Sequence, residues 1–441
     1  MTSTTSTTSE TTTWRNWAGN VTVRPRRIVS PASVDELAAA VRQAAEDGLT
    51  AKAVGTGHSF TAVAATDGLL IRPDRLTAVR AVDRAAGTVT VEAGLPLHRL
   101  NRLLDSAGLS LINMGDIQQQ TVAGATSTGT HGTGRDSASI AAQVKGLELV
   151  LADGSVLDCS AKRNPEVFAA ARVGLGALGV VSAITFGVEP SFLLTAREEP
   201  MPFDTVLSTF DQLVAENEHF EFYWFPHTDS CNTKRNNRSL GPAAPLHPVR
   251  GWLDDELLSN GVFQAVCALG KAVPPAIPAI AKVSSRALSA RTYTDAAYKV
   301  FTSPRRVRFI EMEYAVPRAA ATSALRELKT MVERSGLRIS FPVEVRVAPA
   351  DDITLSTASG RDTAYVAVHM YRGSRHQEYF TAVERIMTAH QGRPHWGKLH
   401  SRDAEYLARV YPRFGEFQAL RDRLDPQRLF ANDYLRRVLG E

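Results

Sequence analysis

Glu344 and Arg346 stand two residues apart in Phe341-Pro-Val-Glu-Val-Arg346, a stretch that alternates like a β-strand. At that spacing both side chains leave the same face of the strand. A second strand-like run, Ala364–Tyr371, carries His369, and His395-Trp-Gly-Lys398 adds another histidine and a lysine beside an aromatic ring. Arg308, Glu311 and Glu313 lie on a further strand-like run. Gathered together, these groups would make a pocket of two cations, a carboxylate and imidazoles. Such a set suits an uncharged, polyhydroxylated substrate. It can orient hydroxyl groups, take a proton from one and stabilise developing negative charge. Taken alone, a charged pair on a strand is equally a solvated ion pair.

A different chemistry is written earlier in the chain. In Ala53-Val-Gly-Thr-Gly-His-Ser-Phe60 two glycines flank a threonine and a histidine follows. Glycine lets successive N–H groups turn toward one point, which makes an anion-binding nest. As a string it is also compatible with an ordinary strand-to-loop turn. Leu111–Gly134 continues the theme with Gly115, Gly124, Gly129, Gly132 and Gly134 among small hydroxyl residues. A packed core has no need of that composition, but a backbone laid against a ligand does. Gly174-Leu-Gly-Ala-Leu-Gly179 crowds glycines before a strand once more. Several small-residue loops of this kind suit a large, pyrophosphate-bearing cofactor, with His58 placed to touch its ring system.

Competing chemistries lack their signatures. There is no Gly-Xaa-Ser-Xaa-Gly elbow, no Walker sequence and no His-Glu-Xaa-Xaa-His helix. Phe60 stands where a dinucleotide fingerprint would place its third glycine. Charge is nearly balanced, 50 basic against 46 acidic residues, and without a basic cluster this argues against nucleic acid. Cys159, Cys231 and Cys267 form neither a metal-ligand pattern nor a disulfide framework, which fits a reducing, cytoplasmic compartment. No metal site is expected. Val262–Val283, the most apolar stretch, is broken by three prolines and two lysines and so is not a membrane span.

The elements that must position these groups follow from periodicity. Pro31–Ala45 is expected to be a helix, with Ser33 as N-cap and Glu36 three residues on. Thr50–Val54, Leu69–Arg72 and Thr88–Ala93 read as strands, Pro96–Ala107 as a helix ended by Gly108. Val144–Leu151 and Ser155–Cys159 form a hairpin about Asp153-Gly154. Pro165–Ala171 is helical and Val180–Val188 an apolar strand. Beyond Glu189 come the aromatic strand Phe220–Phe225, an irregular region His227–Ala290, and strands at Arg308–Ala315, Ile339–Val347 and Ala364–Tyr371. Helices are expected at Arg318–Gly336 and Tyr379–Ala389 and in the tail. This order predicts an α+β chain whose second half is a helix-covered antiparallel sheet. At 441 residues two domains are the expectation. The Ser/Thr-rich start, residues 1–13, reads as a disordered tail.

These segments occur together in a recognisable order. Gly55-Thr-Gly-His-Ser-Phe60, the Val122-Ala-Gly run leading to Thr128-Gly-Thr-His-Gly-Thr-Gly134, Gly176-Ala-Leu-Gly-Val-Val181, Glu344-Val-Arg346 and His395-Trp-Gly-Lys398 resemble the aldonolactone oxidoreductases of the vanillyl-alcohol oxidase type flavoproteins. That family includes L-gulono-1,4-lactone and D-arabinono-1,4-lactone oxidases and related alditol oxidases. The resemblance implies an FAD-binding domain (14–189), a substrate domain (190–414) and a segment returning to the first domain (415–441). It implies FAD held by Ala53, Val54, Gly55, Thr56, Gly57, His58, Ser59, Gly115, Asp116, Thr121, Gly124, Ala125, Thr126, Ser127, Val181 and His395, with covalent attachment at His58. By the same resemblance Glu344, Arg346, Lys398 and His369 act on a small sugar lactone or polyol. Gly115 would leave room for O2 as acceptor, giving peroxide.

Overall fold

The computed structural model describes residues 13–137, 139–247 and 260–441. The expected disordered tail lies outside these residues except for Thr13, as does part of the region expected to be irregular. In the first half, a small parallel sheet holds β1 (Arg27–Val29), β2 (Ala51–Ala53) and β3 (Leu69–Ile71) in the order β1-β3-β2. Helix α1 (Val34–Glu46) packs on it through Leu37, Ala38, Val41 and Ala44. Its start is capped as expected, with the Glu36 N–H donating to Ser33 Oγ at 3.1 Å. The Glu36 carboxylate reaches back to the N–H of Ala32 at 2.8 Å.

A second, antiparallel sheet comprises β4 (Val79–Asp83), β5 (Thr88–Glu92), β6 (Val144–Val150), β7 (Val156–Ser160) and β8 (Val180–Gly187), in the order β7-β6-β8-β5-β4. Helix α2 (Leu97–Ser106) buries Leu97, Leu100 and Leu104 in the same core. The short helix α3 (Val122–Ser127), capped by Thr121, follows. Between β2 and β3 the chain makes the turn 54–60.

The second half is built on one eight-stranded sheet. Its strands are β9 (Leu193–Pro202), β10 (His219–Trp224), β11 (Ser230–Ser239), β12 (Arg291–Ala296), β13 (Phe309–Pro317), β14 (Val343–Ala348), β15 (Thr363–Tyr371) and β16 (Arg393–Pro394). They lie in the order β12-β9-β11-β10-β14-β15-β13-β16, and every neighbouring pair is antiparallel. Strict alternation divides its residues. Phe220, Phe222, Trp224, Val343, Val345, Val366, Val368, Ile310 and Met312 face helices α4 (Ala321–Ser335) and α5 (Gln377–Ala389) in one core. Each such side chain stabilises the fold by about 1.5–3 kcal/mol on burial. The opposite face of the same strands carries the charged residues and looks toward the first half.

One strand contradicts the sequence expectation. Ser230–Ser239, read as irregular, pairs along its whole length with β9. Its sequence, Ser-Cys-Asn-Thr-Lys-Arg-Asn-Asn-Arg-Ser, has no apolar alternation because both faces are polar: Lys234 pairs with Glu221 on one and Arg235 with Glu199 on the other. The same region also holds helices at Phe263–Ala272 and Ile277–Arg286. Near the C-terminus, helix α6 (Asp433–Leu439) packs into the core of the first half. Asn432 Nδ2 donates to the carbonyls of Ala62, Val63 and Ala65. Buried Lys52 on β2 donates to Leu175, Gly176 and Phe430 carbonyls, joining three distant segments. Burial, then Arg421, lowers its pKa to about 7.

Candidate active site

The turn after β2 opens into a cleft lined by Ala53 through Ser59, Thr121, Gly124, Ser127 and Val181. Val54 N–H still donates to Ile71 O and Phe60 N–H to Gly397 O. Among the described residues, the five N–H groups between them, Gly55 to Ser59, donate to no protein acceptor. Gly57 has φ +71°, and a Cβ on Gly55 would lie 2.3 Å from Thr121 Oγ1. A row of open donors in a cradle that side chains would fill is what a pyrophosphate-bearing cofactor needs. The residues therefore fit FAD.

At His58, Ser59, Gln120 and Thr128 this cleft runs into a wider cavity whose far wall is the charged face of the eight-stranded sheet. About 1350 Å³ there is free of protein atoms, counting its opening to solvent. The register assembles the wall. Tyr223 lies opposite Glu344, Glu344 opposite Ala367, and Ala367 opposite Glu313. One step along, Glu221, Arg346 and Tyr365 are aligned, and His369 faces Glu311. The Arg346 guanidinium is held by three carboxylates: Nε donates to Glu221 at 2.8 Å, a terminal nitrogen pairs with Glu344, and Asp116 lies 4.0 Å away. Lys398 Nζ pairs with Glu311 and lies 3.9 Å from Glu313. His131, from the first half, pairs with Glu313 and stacks on Tyr365 with ring centres 3.5 Å apart.

Electrostatics separate the carboxylates. Burial raises the pKa of Glu344, opposed by Arg346 and reinforced by Asp116 and Glu221. Burial would raise Glu311 as well, but Lys398 and His369 outweigh it and hold Glu311 at about 2. Asp116 is likewise held at about 2, because Arg305, Arg346 and Lys234 overcome its desolvation. Burial first, then Lys398 and Arg308, lowers His58 to about 4. Its ring stacks on Trp17 at 5.7 Å and shares a hydrogen bond with Thr56 Oγ1 at 2.9 Å. His395 is also lowered to about 4 by burial. Both imidazoles are therefore neutral near pH 7.

The structure brings most of the expected site together and redistributes some of it. Glu344, Arg346, His369, Lys398 and His395 line the wide cavity with His58, Ser59, Gly115 and Asp116. Asp116 turns to the second half, accepting from Ser303 Oγ at 3.0 Å and Arg305 Nε at 2.7 Å. Ala125 and Thr126 line neither part of the cleft. Ala125 is fully buried, and the Thr126 hydroxyl caps carbonyls of its own helix at Val122 and Ala123. Helical periodicity turns these two inward while Gly124 and Ser127 face out. Trp17, His131, Tyr223, Arg305 and Tyr365, absent from the expected site, also line the cavity. Period-2 alternation from His369 points to Tyr365, and His131 sits within the Thr128–Gly134 run, but no local pattern marks Arg305.

Comparison with known proteins agrees with this geometry. A family model described as an FAD binding domain matches residues 25–160, and one described as D-arabinono-1,4-lactone oxidase matches residues 184–438. Fold and site together define an FAD-dependent oxidoreductase. The chain belongs to the D-arabinono-1,4-lactone oxidase family. It is 44% identical to an L-gulono-1,4-lactone dehydrogenase of Mycobacterium tuberculosis over 97% of this chain and 99% of the relative. It is 34% identical to the L-gulonolactone oxidase of Bos taurus, covering 96% and 98%, and 31% identical to an alditol oxidase of a Streptomyces species, covering 96% and 98%. A solvent-stable cholesterol oxidase has the same fold, with TM-score 0.82 at 19% identity over 97% of each chain. No described helix is long and apolar enough to cross a membrane.

Proposed function

We propose that the protein oxidises a carbinol carbon of a sugar-derived 1,4-lactone, of the L-gulono or D-arabinono type, with O2 as acceptor and peroxide as product. One observation carries the reading: the open-donor cleft that fits FAD runs directly into a wall of hydroxyl-binding and cationic side chains. FAD, when bound, supplies the acceptor for a hydride from that carbon. Ala53–Ser59, Thr121, Gly124, Ser127 and Val181 would hold it. Arg346 and Lys398 stabilise negative charge on the substrate oxygen as it develops. Both are already fixed by carboxylates, so little reorganisation accompanies the reaction. Glu344 anchors a substrate hydroxyl and holds Arg346. Its raised pKa also suits it to share the departing hydroxyl proton. His369 completes the cavity beside Glu311.

His58 is the proposed covalent tether. As a neutral imidazole at the junction of the two spaces, it has an unprotonated ring nitrogen that could bond to the flavin ring system. The three cysteines are buried and free, which supports a reducing compartment, and we place the enzyme in the cytoplasm. Gly115 lines the cavity without a side chain, which supports oxygen access. A second reading keeps the lactone but passes electrons to a non-oxygen acceptor. The name of the Mycobacterium tuberculosis relative favours it. Aerobic turnover of L-gulono-1,4-lactone should yield peroxide in step with lactone consumed. Fast dye reduction without peroxide would establish the dehydrogenase, and idleness with every lactone and polyol would sink both readings. After acid precipitation the yellow colour should stay in the pellet; release into the supernatant would remove the tether.

A further inference from the structure

Ala367 is a gap in an otherwise bulky wall. On the cavity face of β15 its neighbours along the strand are Tyr365 and His369. Across the ladders it lies opposite Glu344 on one side and Glu313 on the other. Facing residues of an antiparallel sheet keep their Cβ atoms about 5 Å apart, so the two glutamate stems stand roughly 10 Å apart with one methyl between them. That methyl lines the cavity.

The carboxylates on either side are each committed on one oxygen. Glu344 Oε1 accepts from Tyr223 OH at 3.2 Å and pairs with Arg346, and Glu313 Oε1 pairs with His131. Among the described residues, Oε2 of Glu344 and Oε2 of Glu313 have no hydrogen-bond donor; the nearest cation to the latter, Lys398, is 3.9 Å away. Two open acceptors thus flank a shallow apolar floor. A pair of hydroxyl donors on adjacent carbons matches this arrangement, with its C–H surface resting on the methyl.

We propose that Ala367 is a specificity-determining residue: it floors a well that receives the exocyclic, dihydroxylated carbon arm of a six-carbon aldono-1,4-lactone. This rests on the lactone reading above. A five-carbon 1,4-lactone has one exocyclic carbon and a single hydroxyl there, so it fills the well less and meets one acceptor. A larger residue at 367 shortens the arm that fits; glycine deepens the well. Neither change touches the glycine-rich cleft.

The test uses the purified holoenzyme, Ala367→Val and Ala367→Gly. Each is assayed on L-gulono-1,4-lactone and on the five-carbon 1,4-lactone of the same ring stereochemistry, with a dye acceptor so that oxygen reactivity does not enter. FAD content per chain is measured alongside. Ala367→Val should lower kcat/KM for the six-carbon lactone about tenfold or more, the scale of one methylene in a specificity pocket, and change the five-carbon value far less. Ala367→Gly should leave the six-carbon value equal or higher relative to the five-carbon one. Equal losses on both lactones, an unchanged ratio in both variants, or loss of FAD would overturn the proposal. A parent enzyme idle on both lactones would instead overturn the lactone reading itself, and the well with it.

Discussion

The two walls of the cavity are built from different materials. The cofactor side is backbone: consecutive N–H groups from Gly55 to Ser59, brought close by residues with little or no side chain. The substrate side is side chain: carboxylates and cations delivered two residues apart by β10, β14, β15 and β13. The first wall depends on what is missing, the second on what is paired. A backbone wall fails when atoms are added. A side-chain wall fails when a partner is removed, because the remaining buried charges are left unbalanced.

The largest effect should come from the side-chain wall. Arg346→Met strips the counter-charge from buried Glu344 and Glu221 and the stabiliser from the reacting oxygen. We expect kcat to fall about 10²–10³-fold, the scale of losing one preorganised donor, with FAD still bound. Steady-state kinetics and the flavin spectrum check it; kcat within a few-fold of the parent would show that Arg346 does not meet the developing charge. The opposite outcome is expected on the backbone wall. Gly57→Val adds a branched side chain at φ +71°, where an added Cβ would lie 3.2 Å from the Trp14 ring. FAD content should drop steeply while the second half keeps its fold. Full FAD loading in that variant would break the distinction between the walls.

The smallest effect is on stability and is shared by both walls. His58 and His395 are lowered from 6.5 to about 4 by burial, so the folded state keeps them neutral. The unfolded chain binds more protons between these values. Stability from both groups is therefore complete above pH 6.5 and is lost as pH falls toward 4. Glu311 and Asp116, held at about 2, add a further loss below the ordinary carboxylate range. Thermal unfolding followed from pH 7.5 to 4 should show Tm falling through that window; a flat profile would mean that both rings titrate in the native state as they do in the unfolded chain.

The same contrast explains what could be read from sequence. A backbone wall is written contiguously, so Gly55-Thr-Gly-His and the run to Gly134 were visible as strings. Even there, Ala125 and Thr126 were carried along by the string, although the helix turns them into the core. The side-chain wall is assembled by register. Glu344 and Arg346 announced their shared face, but that His131 meets Glu313 across 182 residues, or that Asp116 meets Arg305 across 189, is decided by packing alone. Strand β11 is hidden for a different reason: polar residues stand on both of its faces, so no apolar alternation marks it.

The two walls act on one molecule held between them. The direct measurement is anaerobic mixing of the purified enzyme with L-gulono-1,4-lactone while the flavin's visible absorbance is followed. We expect rapid, lactone-dependent bleaching in the parent and bleaching slowed about 10²-fold or more in Arg346→Met at equal FAD content. A flavin that stays oxidised with saturating lactone, or one that bleaches equally fast in both proteins, would contradict it.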